Sequence, residues 1–178
     1  MEAIFQSASG AEQNFRGYCQ YLGELLGNLD FQVIEKVAQL ILDKAKSGQT
    51  IFLAGNGGSA STASHFAADL ALCSRPEDGL YFKAISLTDC VPVMTALAND
   101  REYREIFTTQ IENLFRKDDM LIVISASGNS PNVVAAARLA KKLGGVTVGL
   151  VGFDGGELAG ICDLVVQVTT ATGEYGPG

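Results

Sequence analysis

The sequence is poor in basic residues, which excludes several kinds of partner. It has 13 Lys and Arg against 20 Asp and Glu among its 178 residues, and its formal net charge is −7. Nucleic acids and anionic membranes are bound by clustered cations. Lys117, Lys141 and Lys142 are too scattered along the chain to form such a cluster. We therefore expect neither direct nucleic-acid binding nor membrane binding.

Cysteine motifs, a secretion signal and long apolar runs are also missing. The four cysteines show no Cys-x-x-Cys spacing, and the first residues lack the basic and long apolar regions of a signal peptide. No apolar run approaches the roughly 20 residues that a membrane-spanning helix needs. These absences predict a soluble protein of a reducing cytoplasm; the cysteines are Cys19, Cys73, Cys90 and Cys162.

What the sequence does contain is an alternation of apolar runs and amphipathic segments. Apolar runs without polar alternation, separated by helices, indicate a buried parallel sheet with helices on both faces, an α/β fold. A chain of this length predicts a single domain, residues 1–178, with its α/β core at 49–178. The predicted strands are 51–53, 82–86, 120–124, 146–151 and 164–168, and the helices are 60–72, 91–98, 102–115, 131–143 and a short one at Glu157.

Residues 1–48 predict an N-terminal helical hairpin. Apolar residues recur three and four positions apart between Gly10 and Gly27, and Asp30 is a typical N-cap for a second helix that ends at Gly48. The apolar stripe either extends into an oligomer interface or merely covers one face of the sheet. The sequence leaves both alternatives open.

The loop Gly55-Asn56-Gly57-Gly58-Ser59 follows the first predicted strand and begins a helix. Free backbone N–H groups and the positive end of a helix dipole make such a junction an anion site. Its glycine spacing also meets the loose dinucleotide fingerprint, but the carboxylate that should bind the ribose is misplaced. The acidic residues available are Glu77 and Asp78, before the next strand, and Asp89, beyond it. A Walker-type loop is excluded, because no Lys follows the glycines.

A second polar loop, Ser125-Ala126-Ser127-Gly128-Asn129-Ser130, follows the strand at 120–124. Ser130 as N-cap and Pro131 at the first helical position predict a helix start. The hydroxyls of this loop and the free N–H groups of the helix form a neutral cradle for a dianion. The alternative is that the serines only cap a helix, yet two such loops at strand ends favour a ligand site.

His65 is the only histidine, and Asp69 lies four residues further along the same predicted helix. The two side chains project from one face, where they can share a proton or a metal, although a lone histidine is also often structural. Asn99-Asp100 is predicted to be a C-cap followed by an N-cap, with contact to a sugar as the alternative. Asp154-Gly155-Gly156-Glu157 is predicted to be a turn and a helix start.

These motifs, in this order and spacing, resemble the sugar isomerase (SIS) domain family. Within it the chain is similar to the phosphoheptose isomerase group, which includes a relative that regulates replication initiation. The resemblance implies a three-layer fold, a parallel sheet flanked by helices, assembled as a homotetramer through the N-terminal helices. It is carried by residues 55–59, 65–67, 98–100, 125–130 and 152–160.

The same resemblance implies roles for residues of this chain. Asp69 matches the catalytic carboxylate, usually Glu in the family, and His65 and Asp69 match two zinc-site positions. The family's remaining zinc ligands and its catalytic histidine lie on a helix after the last strand, which this sequence does not contain, so the zinc ligand set is incomplete. The implied substrate-binding residues are Asn56, Gly57, Gly58 and Ser59 for the sugar, Asn99 and Asp100 for its hydroxyls, and Ser125, Ala126, Ser127 and Ser130 for the phosphate.

The implied function is the interconversion of a ketose phosphate and an aldose phosphate through an enediol. The expected substrate is sedoheptulose 7-phosphate, used in heptose and lipopolysaccharide precursor synthesis. The alternative is a noncatalytic SIS module that binds a phosphosugar or a replication-initiator protein.

Overall fold

The structure is a computed structural model that describes residues 10–72 and 80–170. Several predictions fall outside these residues. They concern the start of the chain, Cys73, and the acidic residues Glu77 and Asp78.

Helices and strands alternate along the described chain as the sequence predicts. Two helices precede the first strand, and each later strand follows at least one helical segment. The helices are α1 (Ala11–Gly27), α2 (Phe31–Lys46), α3 (Gly58–Leu72), α4 (Val91–Asp100), α5 (Thr108–Leu114), α6 (Pro131–Lys142) and α7 (Gly156–Ile161), and the strands are β1 (Thr50–Gly55), β2 (Lys83–Ser86), β3 (Met120–Ser125), β4 (Val146–Gly152) and β5 (Leu164–Val168).

The strands form one parallel sheet in the order β2-β1-β3-β4-β5. Strands β1 and β3 lie inside it and are almost entirely buried, which explains their uninterrupted apolar sequences. Because side chains alternate along a strand, Phe52 and Ala54 face one apolar cluster, and Ile51 and Leu53 face the other. The predicted three-layer α/β architecture is confirmed.

Each face of the sheet is covered by its own helices. Helices α5, α6 and α7 bury their apolar residues on the face that Phe52 occupies, with Ile111, Val133 and Leu158 fully buried. Helices α2 and α3 cover the opposite face through Val37, Ile41, Ala63, Ala67 and Leu70.

The N-terminal helices differ in how far they are buried. The Asp30 carboxylate accepts hydrogen bonds from the N–H groups of Gln32 and Val33, as predicted for an N-cap, and α2 packs on the sheet. Helix α1 has no buried residue. Its apolar stripe leaves Phe15 69% exposed and Leu22 41% exposed. One alternative, that the helices cover a sheet face, therefore holds for α2 alone.

The region 91–115 corrects two predictions. Residues 102–115 do not form one helix: a 3₁₀ turn at Tyr103–Glu105 precedes the shorter α5. The break turns Ile106 and Phe107 inward, where both are fully buried. Asn99 and Asp100 are not a C-cap and an N-cap, because α4 continues through Asp100 and ends only where the Arg101 backbone leaves helical geometry.

Within residues 10–72 and 80–170, every helix is too short or too polar to span a lipid bilayer.

Candidate functional site

The two polar loops predicted from the sequence lie at the carboxyl ends of neighbouring strands. Gly55, at the end of β1, is paired with Ile124, one residue before the end of β3. The loops therefore leave the sheet side by side, at the edge where open α/β sheets bind ligands. Helices α3 and α6 begin directly after them, so the positive ends of two helix dipoles lie at this edge.

The first loop is a tight connection that depends on two of its glycines. A Cβ atom on Gly55 would lie 2.7 Å from the Ser59 carbonyl oxygen, and Gly57 has a φ of +54°. The Asn56 carbonyl then accepts hydrogen bonds from the N–H groups of Ser59 and Ala60, which begins α3. The glycines thus allow the strand to turn into the helix within a few residues.

The side chain of Asn56 joins the first loop to the second. Its amide exchanges two hydrogen bonds with the amide of Asn132, in the first turn of α6, at 2.8 and 2.9 Å. The hydroxyl of Tyr103 donates a third bond to Asn56 Oδ1 at 3.1 Å. The sequence analysis missed Asn132 and Tyr103. A polar residue in the first turn of a helix whose next residues are apolar was the one signal for Asn132, and Tyr103 had none.

In the second loop, the serines have different hydrogen-bonding partners. Ser125 is buried and its hydroxyl accepts a hydrogen bond from the Gly128 N–H. Ser130 is the N-cap residue of α6, as predicted, but its hydroxyl makes no capping bond and lies 3.5 Å from the Ser125 hydroxyl. The Ser127 hydroxyl accepts a bond from the Asn129 N–H. The Ser130 hydroxyl therefore does not cap α6, although its residue occupies the N-cap position.

The loop after β4 supports the second loop from behind. Asn129 Oδ1 accepts a hydrogen bond from the Glu157 N–H at 2.9 Å, and the Gly128 carbonyl accepts one from the Leu158 N–H at 3.1 Å. A Cβ atom on Gly128 would lie 2.0 Å from the Gly155 carbonyl oxygen. The predicted turn at Asp154–Glu157 is present and in addition holds the serine loop in place.

Asn99 and Asp100 lie in the last turn of α4 with exposed side chains. The Asn99 amide donates to the Asp100 carboxylate at 2.8 Å. Tyr103, three residues beyond Asp100, is the residue of this region that reaches the first loop.

His65 and Asp69 form a pair on the exposed face of α3, with His65 Nε2 3.4 Å from Asp69 Oδ2. The side chains are 78% and 58% exposed. From Gly58, the α-helical rise of 1.5 Å per residue puts His65 about 10 Å and Asp69 about 16 Å along the axis. The structure therefore confirms the shared face and sets the pair apart from the two loops.

The described residues do not complete a zinc site around this pair. In residues 10–72 and 80–170 no group of three or more His, Cys, Asp or Glu side chains is positioned to hold a metal. Protein zinc sites use three or four protein ligands. His65 and Asp69 alone do not fit a complete site.

Helix α3 is fixed to the loop after β2 by a cluster of hydroxyl groups. The Ser64 hydroxyl donates to the Asp89 carboxylate and lies 2.9 Å from the Thr88 hydroxyl, which lies 2.6 Å from the Ser86 hydroxyl. The cluster holds in place the turn of α3 that carries His65. In this cluster the Asp89 carboxylate accepts a hydrogen bond from Ser64, which does not suit the role of a ribose-binding group.

A cavity of about 430 Å³ lies beside the loops at the ends of β3, β4 and β5. Ser59 and Ala126 line it together with mostly apolar side chains, among them Leu150, Phe153 and Val166. Apolar walls do not solvate a phosphate. This cavity therefore does not suit a phosphate.

A family model described as the SIS domain matches residues 17–152, which include both loops, α3 and the end of α4. The chain belongs to the SIS domain family. The phosphoheptose isomerase of Aliarcobacter butzleri is 44% identical over 136 residues, which are 76% of this chain and 71% of that protein. The phosphoheptose isomerase of Desulfovibrio desulfuricans is 44% identical over 124 residues, 68% of this chain and 57% of that protein.

Among solved structures, that of a phosphoheptose isomerase from Neisseria gonorrhoeae superposes with a TM-score of 0.78 at 31% identity. The match covers 88% of this chain and 82% of that one. The predicted membership of the SIS family, within its phosphoheptose isomerase group, is confirmed.

Proposed function

We propose that this chain is a phosphosugar aldose-ketose isomerase acting on sedoheptulose 7-phosphate. The observation that supports the proposal most strongly is the close approach of the two loops within a chain whose relatives are phosphoheptose isomerases. The serine loop offers hydroxyls and helix N–H groups without a cation, and the adjoining loop offers amides suited to a sugar. This combination suits a ligand that carries a phosphate at one end and hydroxyls along its length.

The proposal assigns the phosphate to Ser125, Ala126, Ser127 and Ser130. The Ser130 hydroxyl is well suited to this role, because no cap bond occupies it. Asn56, Gly57, Gly58 and Ser59 would contact the sugar, and Asn99 and Asp100 its hydroxyls.

Asp69 is the proposed general base. It would take a proton from carbon 1 of the ketose while water protonates the carbonyl oxygen at carbon 2, which gives the enediol; the carbon 1 hydroxyl later returns a proton to water. Return of the proton to carbon 2 and loss of the carbon 1 hydroxyl proton give the aldose. Six C–C bonds of about 1.5 Å span roughly 8 Å in an extended zigzag. A seven-carbon sugar that starts at the loops would therefore cover about half of the roughly 16 Å of helix rise between Gly58 and Asp69, so the assignment of Asp69 rests on its match to the family's carboxylate and not on its distance from the loops.

His65 and Asp69 would supply two ligands to a zinc ion, and the other ligands would have to come from outside the described residues. A zinc ion at such a site would polarise the sugar oxygens as a Lewis acid. Because the described donors do not complete the site, no step of the proposed mechanism uses the metal. Asp69 alone transfers the proton between the two carbons.

The proposal includes a homotetrameric assembly and a cytoplasmic location. The apolar stripe of α1 supports the assembly, since a helix without a buried residue leaves this stripe to be covered by another subunit. Free thiols at Cys19, Cys90 and Cys162 suit a reducing compartment.

The test is turnover of sedoheptulose 7-phosphate by the purified chain, with and without added zinc. Asp69→Asn should lower kcat by 100-fold or more, about what a general base contributes, while binding of the phosphosugar is retained. Ser130→Ala should instead raise KM, on the order of 10-fold for one lost hydrogen bond to a charged group. Glu112→Gln, which removes an exposed carboxylate from α5, is the matched control and should leave both constants unchanged.

Retained binding without any turnover by the unmodified chain would contradict the enzyme proposal and favour the noncatalytic alternative. In that case capture of a replication-initiator protein, unaffected by Asp69→Asn, would identify the chain as a regulatory SIS module.

A further inference from the structure

The amide of Asn132 is a buried polar group to which the proposed function assigns no contact with the substrate. Its residue is 2% exposed, and its hydrogen bonds go to Asn56, 76 residues away in the sequence, and to the N–H of Val133. A buried amide is normally hydrogen-bonded, because burying its polar atoms without partners destabilises the fold. Asn132 meets that requirement by joining the start of α6 to the loop that precedes α3.

The Val133 N–H fixes the orientation of the whole amide pair. It donates to Asn132 at 3.0 Å, so the Asn132 atom that it meets must be oxygen, and the other must be the NH₂ group. The Asn132 NH₂ in turn requires an oxygen on Asn56, which also accepts from the Tyr103 hydroxyl at 3.1 Å. Asn56 is therefore held with its oxygen facing Asn132 and Tyr103.

The hydrogen bonds that the Asn56 side chain already makes determine which of its polar groups can bind a ligand. Its oxygen accepts two hydrogen bonds, the usual capacity of an amide oxygen. One N–H of its NH₂ group is donated to Asn132, which leaves one N–H. Asn56 is only half-buried. The side chain thus offers a ligand one donor and no acceptor.

We propose that Asn132 and Tyr103 are positioning residues for substrate binding. They orient Asn56 so that its remaining N–H donates to an oxygen acceptor of the sugar, a hydroxyl or a carbonyl, while the phosphate binds the neighbouring serine loop. Neither residue itself needs to touch the substrate. The inference rests on the proposed phosphosugar function. It adds that Asn56 acts toward the sugar as a hydrogen-bond donor and not as an acceptor.

The Asn56–Asn132 amide pair also links the two loops directly. Asn56 sits where the first loop begins α3, and Asn132 sits in the first turn of α6. The amide contact therefore sets the distance between the sugar-binding loop and the phosphate-binding loop. A displacement of about 1 Å in a substrate-holding group can reduce the rate on the order of 100-fold.

The variants Asn132→Ala and Tyr103→Phe test this positioning role. Tyr103→Phe removes a single hydroxyl from a residue that is 54% exposed, so its fold should be retained even if Asn132→Ala proves unstable. Each variant should raise KM for sedoheptulose 7-phosphate, by about 3- to 10-fold for Tyr103→Phe and more for Asn132→Ala, as expected for the loss of one and two hydrogen bonds. The inhibition constant of inorganic phosphate, a probe of the serine loop alone, should change less than about 2-fold for Tyr103→Phe.

A double-mutant cycle separates positioning from general stability. If Asn132 and Tyr103 act through Asn56, either substitution made in an Asn56→Ala background should raise KM little further. Asn113→Ala, at an exposed position of α5, is the matched control and should leave KM unchanged. Additive effects in the cycle, or equal weakening of phosphate and phosphosugar binding by Tyr103→Phe, would overturn the inference.

The unmodified chain distinguishes this failure from failure of the proposed function. If it binds sedoheptulose 7-phosphate without turnover, dissociation constants from calorimetry replace KM throughout, and the same pattern supports the inference. If it neither binds nor converts the phosphosugar, the proposed function fails, and the inference fails with it.

Discussion

At the scale of single residues, the structure separates carboxylates that hold the fold together from those that lie exposed on a helix. Asp163 belongs to the first group. Its carboxylate accepts hydrogen bonds from both the N–H and the hydroxyl of Thr147, a fully buried residue, and pairs with Lys141 at 2.8 Å. Asp69, by contrast, is 58% exposed beside His65. The match to the family's carboxylate, and not this exposure, makes Asp69 the proposed base.

The pairing of Asp163 predicts a pH dependence of stability. Burial would raise the pKa of its carboxyl, but the hydrogen bonds from Lys141 and Thr147 outweigh burial and hold the pKa below its usual 3.8. A pKa lowered by folding means that the charged carboxylate stabilises the fold above its unfolded pKa. That stabilisation is lost as the pH falls through the folded pKa.

We therefore expect Asp163→Asn to lower the free energy of unfolding at pH 7, by about 1 kcal/mol for a partly exposed pair. The difference from the unmodified chain should shrink as the pH falls below about 4. Urea unfolding at pH 7 and pH 3 measures it. Glu35→Gln, at an exposed position of α2, is the control. A difference that persists undiminished at pH 3 would contradict the electrostatic origin.

At the scale of elements, the serine loop depends on the loop beneath it. Gly128 has a φ of +66° and no room for a Cβ atom, because the Gly155 backbone lies against it. Both loops follow buried strands, so neither can retreat without moving β3 or β4. The fold therefore fixes the shape of the candidate phosphate site from behind.

Gly128→Ala should consequently destabilise the protein by more than about 3 kcal/mol, since a clash between backbone atoms adds to the cost of a positive φ. Gly160→Ala in α7 is the matched control, because a Cβ atom there meets no atom within 4 Å. It should be neutral or stabilising by up to about 1 kcal/mol. Thermal unfolding of the two variants provides the measurement. Equal melting temperatures would show that the serine loop can shift away from its support.

At the scale of the whole molecule, α1 is the helix whose apolar side chains the described residues of a single chain leave exposed. The face that carries Phe15, Tyr18, Leu22 and Leu26 is exposed along the helix. Helix α2, which is separated from α1 by three residues, packs on the sheet and closes the core without it. An exposed apolar face of this length favours a contact with another subunit.

Leu22→Lys should therefore reduce the fraction of the proposed tetramer, because it places a charge in the middle of the apolar face. Gln20→Lys introduces the same charge on the opposite face of α1 and should leave the assembly unchanged. Sedimentation velocity at matched concentrations distinguishes the two. An unmodified chain that sediments as a monomer would rule out the tetramer directly.

The sequence by itself determined the order of elements and the position of the two loops. Apolar runs such as Met120–Ser125 and caps such as Asp30 are local signals, because burial and hydrogen bonding within a few residues decide them. The prediction of one helix over residues 102–115 was wrong, because tertiary packing and not a local signal decides where it breaks. Its break is set by where Ile106 and Phe107 reach the core, which no local periodicity records.

Only the tertiary structure decided how the site is assembled. The Asn56–Asn132 amide pair, the Tyr103 hydroxyl bond and the contact between Gly128 and Gly155 join residues 27 to 76 positions apart. Such contacts depend on which strands become neighbours and on how the helices between them pack. The sequence therefore indicated candidate residues for a phosphosugar site, and the fold determined how their hydrogen-bonding groups are paired with one another.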